Sequence, residues 1–336
     1  MRHSTKILFS FLILGLFFSL SCAQVVSEKP DVSTKIGFIS DKAKESTVRL
    51  VGFPSGGTGF FVASDKIATN FHVAAGTIIG PITAKLSHKE TIWLVEGVVA
   101  FDAKSDIAIL KIKGEGVPLP LADIDKLQIG ETVFLAGYPN LSEYKVVDGV
   151  LNDIRSSDKW LKTTVEAYPG NSGSPMLNSK GEAIGIHVGH GYDARPSNAI
   201  KALLESSTSM EPLGEWRKRK VVRAFFYFSK GKNKFYDGNT KGAIDDFDQA
   251  IEHNPDNAEI YKFRAKSKLM LNDRQGATDD YNQALKLNPD DLEIHKKLEE
   301  IKTIIEVQTH EDGTVVILSR EDGKIIERTI KRTVVE

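Results

Sequence analysis

The chain has 336 residues, 41% of them hydrophobic and 26% charged, and a formal net charge of −1. That length suggests two domains with room for a small third piece, and the composition is that of ordinary soluble globular protein. So balanced a charge excludes a global field that would draw nucleic acid or an anionic membrane. The single basic run, WRKRKVVR at 216–223, reads as a solvated linker or helix face.

The chain opens with Arg2 and Lys6, then an unbroken run of apolar and small residues over 7–20. The run is too short to span a bilayer comfortably and fits the core of a signal peptide. The expectation is an exported chain, in the periplasm or elsewhere in the cell envelope. Two readings of its processing stand side by side. Residues 1–23 form a signal cut before Gln24, or SLSC (19–22) resembles a loose bacterial lipobox, residues 1–21 are removed and Cys22 carries a lipid anchor. Cys22 is the only cysteine, so no disulfide framework exists. Residues 24–45 are polar with little pattern and read as a tether into a first helix or strand.

From 46 to 205 the texture is β. Short β-branched or aromatic runs such as TVRLVGF, GTGFFVA, TIWLVEGVVAF and ETVFLAGY are broken by Gly, Pro, Asn or Asp. Many short strands with turn signals between them predict a sandwich or barrels. Helix returns near Ala199–Leu204, and 206–222 reads as a linker.

Residues 223–305 change period. AIDDFDQAIEHNP (243–255) is echoed by ATDDYNQALKLNP (277–289), which sets Ala243 and Ala277, Phe247 and Tyr281, and Pro255 and Pro289 each 34 residues apart. Small residues where helices touch and a proline closing each unit resemble the tetratricopeptide repeat. The expectation is two repeats and a capping helix over 292–305. Two repeats are short of the usual three, so the array should lean on the β domain. Residues 306–336 alternate again and predict a hairpin with Asp322-Gly323 at its turn.

The stretch EAYPGNSGSPML (166–177) sets Ser172 in a glycine-rich turn. A serine hydroxyl is a poor nucleophile; it needs a base, an acid to orient that base, and donors for the oxyanion that forms. Gly170 and Gly173 permit backbone shapes a side chain forbids, which would let the N–H groups of Gly170 and Ser172 converge beside the hydroxyl. Of the eight histidines, those inside the β region are His72, His88, His187 and His190. His72, in IATNFHVAAG, follows a strand into a small-residue turn where a side chain can face a cleft. The acid is sought in DAKSDIAILKI (102–112), with Asp106 at the start of an alternating strand and Asp102 as its rival.

GTGFFVA (57–63), TNFHVAAG (69–76), SDIAILKI (105–112) and GNSGSPML (170–177) resemble, in order, the blocks of HtrA-type and related bacterial trypsin-like serine peptidases. The resemblance covers about 46–205. It implies an all-β double barrel of chymotrypsin-like form with a triad in the cleft: His72 as general base, Asp106 as its orienter and Ser172 as nucleophile, with the amides of Gly170 and Ser172 as oxyanion hole. No metal or organic cofactor is implied. The expected architecture is thus a signal segment, a double-barrel peptidase, a helical repeat domain and a short hairpin.

GIHVG (185–189) resembles the GIHWG stretch of bacterial glutamyl endopeptidases, which would let His187 contact an acidic substrate side chain. Those enzymes carry a threonine where this chain has Ala167, and Glu166 beside it would repel an acid. His187 therefore reads as a specificity residue or as a plain structural one. The leading expectation is an exported serine endopeptidase acting on envelope proteins, with the repeats holding a substrate or protein partner in their groove. The alternative is a latent peptidase-fold scaffold whose repeats carry the function by protein–protein binding.

Overall fold

The computed structural model describes residues 32–330, apart from 78, 156–159, 190–192, 208, 310–313 and 322–323. The leader and Cys22 lie outside these residues.

Six strands form the first barrel: β1 (Thr47–Phe53), β2 (Gly56–Ala63), β3 (Lys66–Thr69), β4 (Ile79–Leu86), β5 (Ile92–Asp102) and β6 (Ile107–Ile112). They pair in the order β5-β4-β1-β2-β3-β6, and β5 pairs with β6 to close the ring. A short helix, α2 (Phe71–Ala75), leaves β3 at the rim. A second closed barrel contains β7 (Thr132–Gly137), β8 (Lys145–Arg155), β9 (Trp160–Thr163), β10 (Pro175–Leu177), β11 (Ala183–His187) and β12 (Asp193–Pro196). Alternation does the work expected of it: in β1, Val48 and Leu50 point inward while Val51 is exposed.

Two stretches expected to be loose are folded. The tether reading of 24–45 gives way over Val32–Ala43 to a helix, α1, whose Ile39 and Ala43 are fully buried between the barrels with Phe60 and Phe134. Its apolar residues recur at helical spacing, a pattern that the surrounding polar residues mask. The linker reading of 206–222 is corrected in the same way. After α3 (Ser197–Ser206), a two-residue strand β13 (Glu211–Pro212) pairs with β5, and a single turn, α4 (Leu213–Trp216), drives Trp216 into the first barrel's core with no exposed surface. The indole meets Phe71 and Phe101 edge-on at 5.9 and 5.7 Å. Lys218, Arg219 and Lys220 stay exposed, so that part of the run is solvated as expected, whereas Arg217 is partly buried with its Nη1 donating to the Gly80 carbonyl at 2.8 Å, and Trp216 and Val222 anchor the run.

The helices that follow are α5 (Lys220–Tyr236), α6 (Thr240–His253), α7 (Ala258–Met270), α8 (Arg274–Leu287) and α9 (Leu292–Thr303). They make two successive hairpins and a last helix, each packed on the next. The 34-residue echo is structural as well as sequential. Asn239 and Asp273 cap α6 and α8 by accepting from the N–H of Gly242 and Gly276. Ala243, Ala250, Ala277 and Ala284 are fully buried at the helix contacts. Asp246, almost wholly buried, pairs with Lys230 and Lys234, and Asp280 pairs with Arg264 and Lys268 at the corresponding places. Glu293 on α9 bonds Lys262 and Lys266 of α7, and these two hold its carboxyl down at about 2.

The expected C-terminal hairpin has a third strand. β14 (Ile304–Thr309), β15 (Val315–Glu321) and β16 (Lys324–Ile330) form an antiparallel sheet in that order. Glu321 faces Lys324 across a two-residue connection at Asp322-Gly323, which lies outside the described residues.

Because Trp216 fastens the helices to the barrel, Trp216→Ala should destabilise the protein by about 3–5 kcal/mol. A denaturant titration followed by tyrosine and tryptophan fluorescence checks this, and a midpoint equal to that of the parent would show that the anchor carries no weight.

Candidate active site

Ser172 and His72 reach the same cleft from different barrels. The cleft has a volume of about 840 Å³ and is lined by Phe71, His72, Asp106, Ser172, the β1–β2 turn and one face of α5.

His72 is the second residue of α2, one turn beyond the end of β3, and Asp106 is the residue before β6, the strand that pairs with β3. Three hydrogen bonds join the two segments. The His72 backbone N–H donates to Asp106 Oδ1 at 2.8 Å, His72 Nδ1–H donates to Asp106 Oδ2 at 2.6 Å, and Asn70 Nδ2 donates to the Asp106 carbonyl at 3.0 Å. The carboxylate acceptor fixes the proton on Nδ1 and leaves Nε2 as the lone-pair nitrogen. Asp106 has φ of 56°, a left-handed shape that a non-glycine residue keeps only when its surroundings hold it there. Those surroundings are the bonds just described. The rival, Asp102, instead accepts from the Lys104 N–H at 2.9 Å and closes its own turn.

The turn that carries Ser172, the expected nucleophile, runs between β9 and β10. Gly170 and Gly173 have φ of 94° and 87°. A Cβ at Gly173 would meet the Thr58 carbonyl and Thr69 Oγ1, so this position needs glycine for space as well as for backbone shape. The carbonyl of Ser172 accepts from the Thr58 N–H at 2.8 Å, and Thr58 Oγ1 donates to the Gly170 carbonyl at 2.8 Å. Those bonds turn the carbonyls inward. Among the described residues, the N–H groups of Gly170 and Ser172 have no acceptor.

The residues considered for specificity separate. His187 ends β11 and exchanges backbone bonds with the nucleophile turn: Gly173 N–H donates to its carbonyl at 3.1 Å, and its own N–H donates to the Ser174 carbonyl at 2.9 Å. Its ring is buried, with Nε2–H donating to the Gly189 carbonyl at 2.9 Å, and burial pushes the imidazole below the ordinary histidine value. That contact suits the structural alternative. Glu166 is exposed and accepts from the Tyr168 hydroxyl at 3.3 Å, while Ala167 packs against the second barrel's core. His88 pairs with Glu45 at 2.9 Å, and His190 lies outside the described residues.

Four contributors escaped the sequence reading. Thr58 and Asn70 lie inside the motif blocks, but their bonds become visible only in three dimensions. Phe225, on α5, has its ring 6.5 Å from that of His72 and 5.4 Å from Phe71. Lys232, two turns further along the same helix, lines the cleft too. Nothing in the sequence separates these last two from the repeat pattern around them.

Residues 57–186 match the family described as trypsin-like peptidase domain. A putative serine protease, HhoB, of Synechocystis is 32% identical over 151 residues, which are 41% of this chain and 35% of that protein. A probable periplasmic serine endoprotease, DegP-like, of Pseudomonas putida is 35% identical over 141 residues, 39% of this chain and 28% of that one. The crystal structure of Deg5 aligns with a TM-score of 0.46 at 25% identity, covering 51% of this chain and 93% of that chain. The chain thus spans about a third of the length of the curated relatives it matches.

The His72–Asp106 bond has a direct signature. Proton NMR of the parent should show a downfield Nδ1 proton that vanishes in Asp106→Ala and persists in Asp102→Ala. Loss in the second variant and not in the first would reverse the assignment of the orienting acid.

Proposed function

We propose that the trypsin-like region of this chain is a serine endopeptidase site, with Ser172 as nucleophile, His72 as general base and Asp106 as its orienter. The observation that carries the reading is the imidazole held by Asp106 at 2.6 Å in a cleft it shares with Ser172. Ser172 Oγ attacks the scissile carbonyl as His72 Nε2 takes its proton. The oxyanion receives the N–H groups of Gly170 and Ser172, which no carbonyl of the described residues occupies. The imidazolium, stabilised by Asp106, returns the proton to the departing amine. His72 then activates a water that releases the acyl group and restores the serine.

The same reading sets the enzyme in the cell envelope, where its N-terminal apolar segment would send it. Relatives named periplasmic serine endoproteases support that location. Proteins or peptides of that compartment are the substrates, and Cys22 is the point where a lipid would hold the enzyme at a membrane. The helices from 220 onward are two tetratricopeptide repeats and a cap. They act in cis, because α5 lies along the cleft.

A fluorophosphonate probe and an unfolded protein substrate test the assignment together. The parent should be labelled and should hydrolyse the substrate. Ser172→Ala should lose the label and lower turnover by roughly 10⁴–10⁶-fold while keeping its thermal melt. Labelling that survives the substitution, or a parent that is never labelled, would overturn the reading in favour of a binding scaffold.

A further inference from the structure

The face of α5 that looks into the cleft belongs to two structures at once. Phe225, Ser229 and Lys232 follow one another at helical spacing and line the same cavity as His72 and Ser172. Phe53 and Ile79, large apolar side chains 64% and 59% exposed, line the same cavity. The opposite end of this stripe runs into the helical array, where Phe228 meets Phe263 of α7 at 5.6 Å.

Lys232 differs from its neighbours. Lys230 and Lys234 both pair with Asp246, at 3.0 and 2.7 Å, and Lys262, Lys266 and Lys268 of α7 all have carboxylates as well. The Lys232 ammonium lies 4.8 Å over the Phe228 ring and 5.9 Å from Phe263, with no carboxylate in ion-pair distance among the described residues. Burial pushes it below the ordinary lysine value, against a weaker upward pull from Glu259. Among the described residues, Asp106 is the only carboxylate lining the cavity, and it is committed to His72. The cleft therefore presents exposed apolar side chains and a half-buried cation that has no counter-ion among the described residues.

We propose that Lys232 is a specificity-determining residue of this cleft: it pairs with a carboxylate side chain of the polypeptide bound there, so that the first repeat helix forms part of the substrate site. The occupant is an extended acidic segment carrying a large apolar side chain near its acid, the first matched to Lys232 and the second to Phe53 and Ile79. A carboxylate arriving at Lys232 supplies the charge partner that the fold withholds, in surroundings drier than bulk water. The inference rests on the cleft being the place where substrate lies, and moves acid recognition from His187 to a different element.

The test uses binding, so it is independent of turnover. The full chain carrying Ser172→Ala is incubated with two pooled libraries of randomised decapeptides containing Leu and Phe. The pools differ only in having Glu and Asp, or Gln and Asn, at the doped positions, and retention is read by mass spectrometry. The acidic pool should be retained about three- to tenfold better. Adding Lys232→Met, which keeps the aliphatic stem over Phe228, should abolish that preference. Lys232→Glu should reverse it against a Lys-doped pool. Lys241→Met, which removes an exposed charge elsewhere, should leave the preference intact, and thermal melts identify any variant that fails to fold. Equal retention of the two pools by the Ser172→Ala protein, or a preference that survives Lys232→Met, would refute the proposal. Failure of the catalytic reading shows differently, as a Ser172 protein that no fluorophosphonate labels.

Discussion

Everything at the cleft depends on how Thr58 ties one barrel to the other. The turn that carries Ser172 belongs to the second barrel and His72 to the first, so no local structure holds them in register. Thr58 N–H and Oγ1 both donate into the nucleophile turn, to the carbonyls of Ser172 and Gly170. Its hydroxyl accepts from the Tyr138 N–H at 3.1 Å, at the end of β7, and its carbonyl accepts from Thr69 Oγ1 at 2.7 Å, just before α2. One side chain and one peptide unit therefore touch the nucleophile turn, the second barrel and the strand that delivers His72. Misplacement of reacting groups by an ångström is enough to cost a site about 10²-fold in rate, which is the scale on which such a clamp matters. The need for Gly173 follows from the same clamp, since its Cα sits against the Thr58 carbonyl.

The barrels, the repeat and the positions of His72, Asp106 and Ser172 were legible because each rests on local signals: alternation, a fixed 34-residue echo, and short glycine-rich blocks. What stayed hidden depends on long-range packing. Trp216 sits among Arg and Lys residues, so composition argues for a solvated linker, and only the aromatic pocket made by Phe71 and Phe101 overrides it. The helix α1 is brief and weakly amphipathic, and the seam that buries Ile39 does not exist until both barrels have closed. The repeated Asp246 and Asp280 were in plain view in DDF and DDY. Their cations, on the preceding helix sixteen and twelve residues back, become partners only when the helices fold against each other. His187 carried a sequence resemblance to a specificity residue, yet burial and the Gly189 carbonyl engage its ring.

The helical array is not a separate bead on a string. Phe71 is covalently next to His72, and its ring is packed by Phe101, Trp216 and Phe225, two of which come from beyond the second barrel. The Phe101 ring stacks on Phe71 while Trp216 and Phe225 meet it edge-on, and aromatic contacts of either kind are worth about 0.5–1.5 kcal/mol each beyond simple burial. His72 is thus buttressed by the polypeptide that also begins the repeats, and the orientation of α5 and the shape of the cleft are set together.

Helical hairpins that touch only their neighbours add up along one dimension. Here the first helix is nailed to the barrel at Val222 and Phe225, with Trp216 fixed just ahead of it, while the last, α9, faces the terminal sheet. Inserting whole 34-residue units beyond α8 would lengthen the array without touching the cleft. The array is built like a ruler whose zero mark is fixed at the cleft: each added unit would carry its far end one step further from His72.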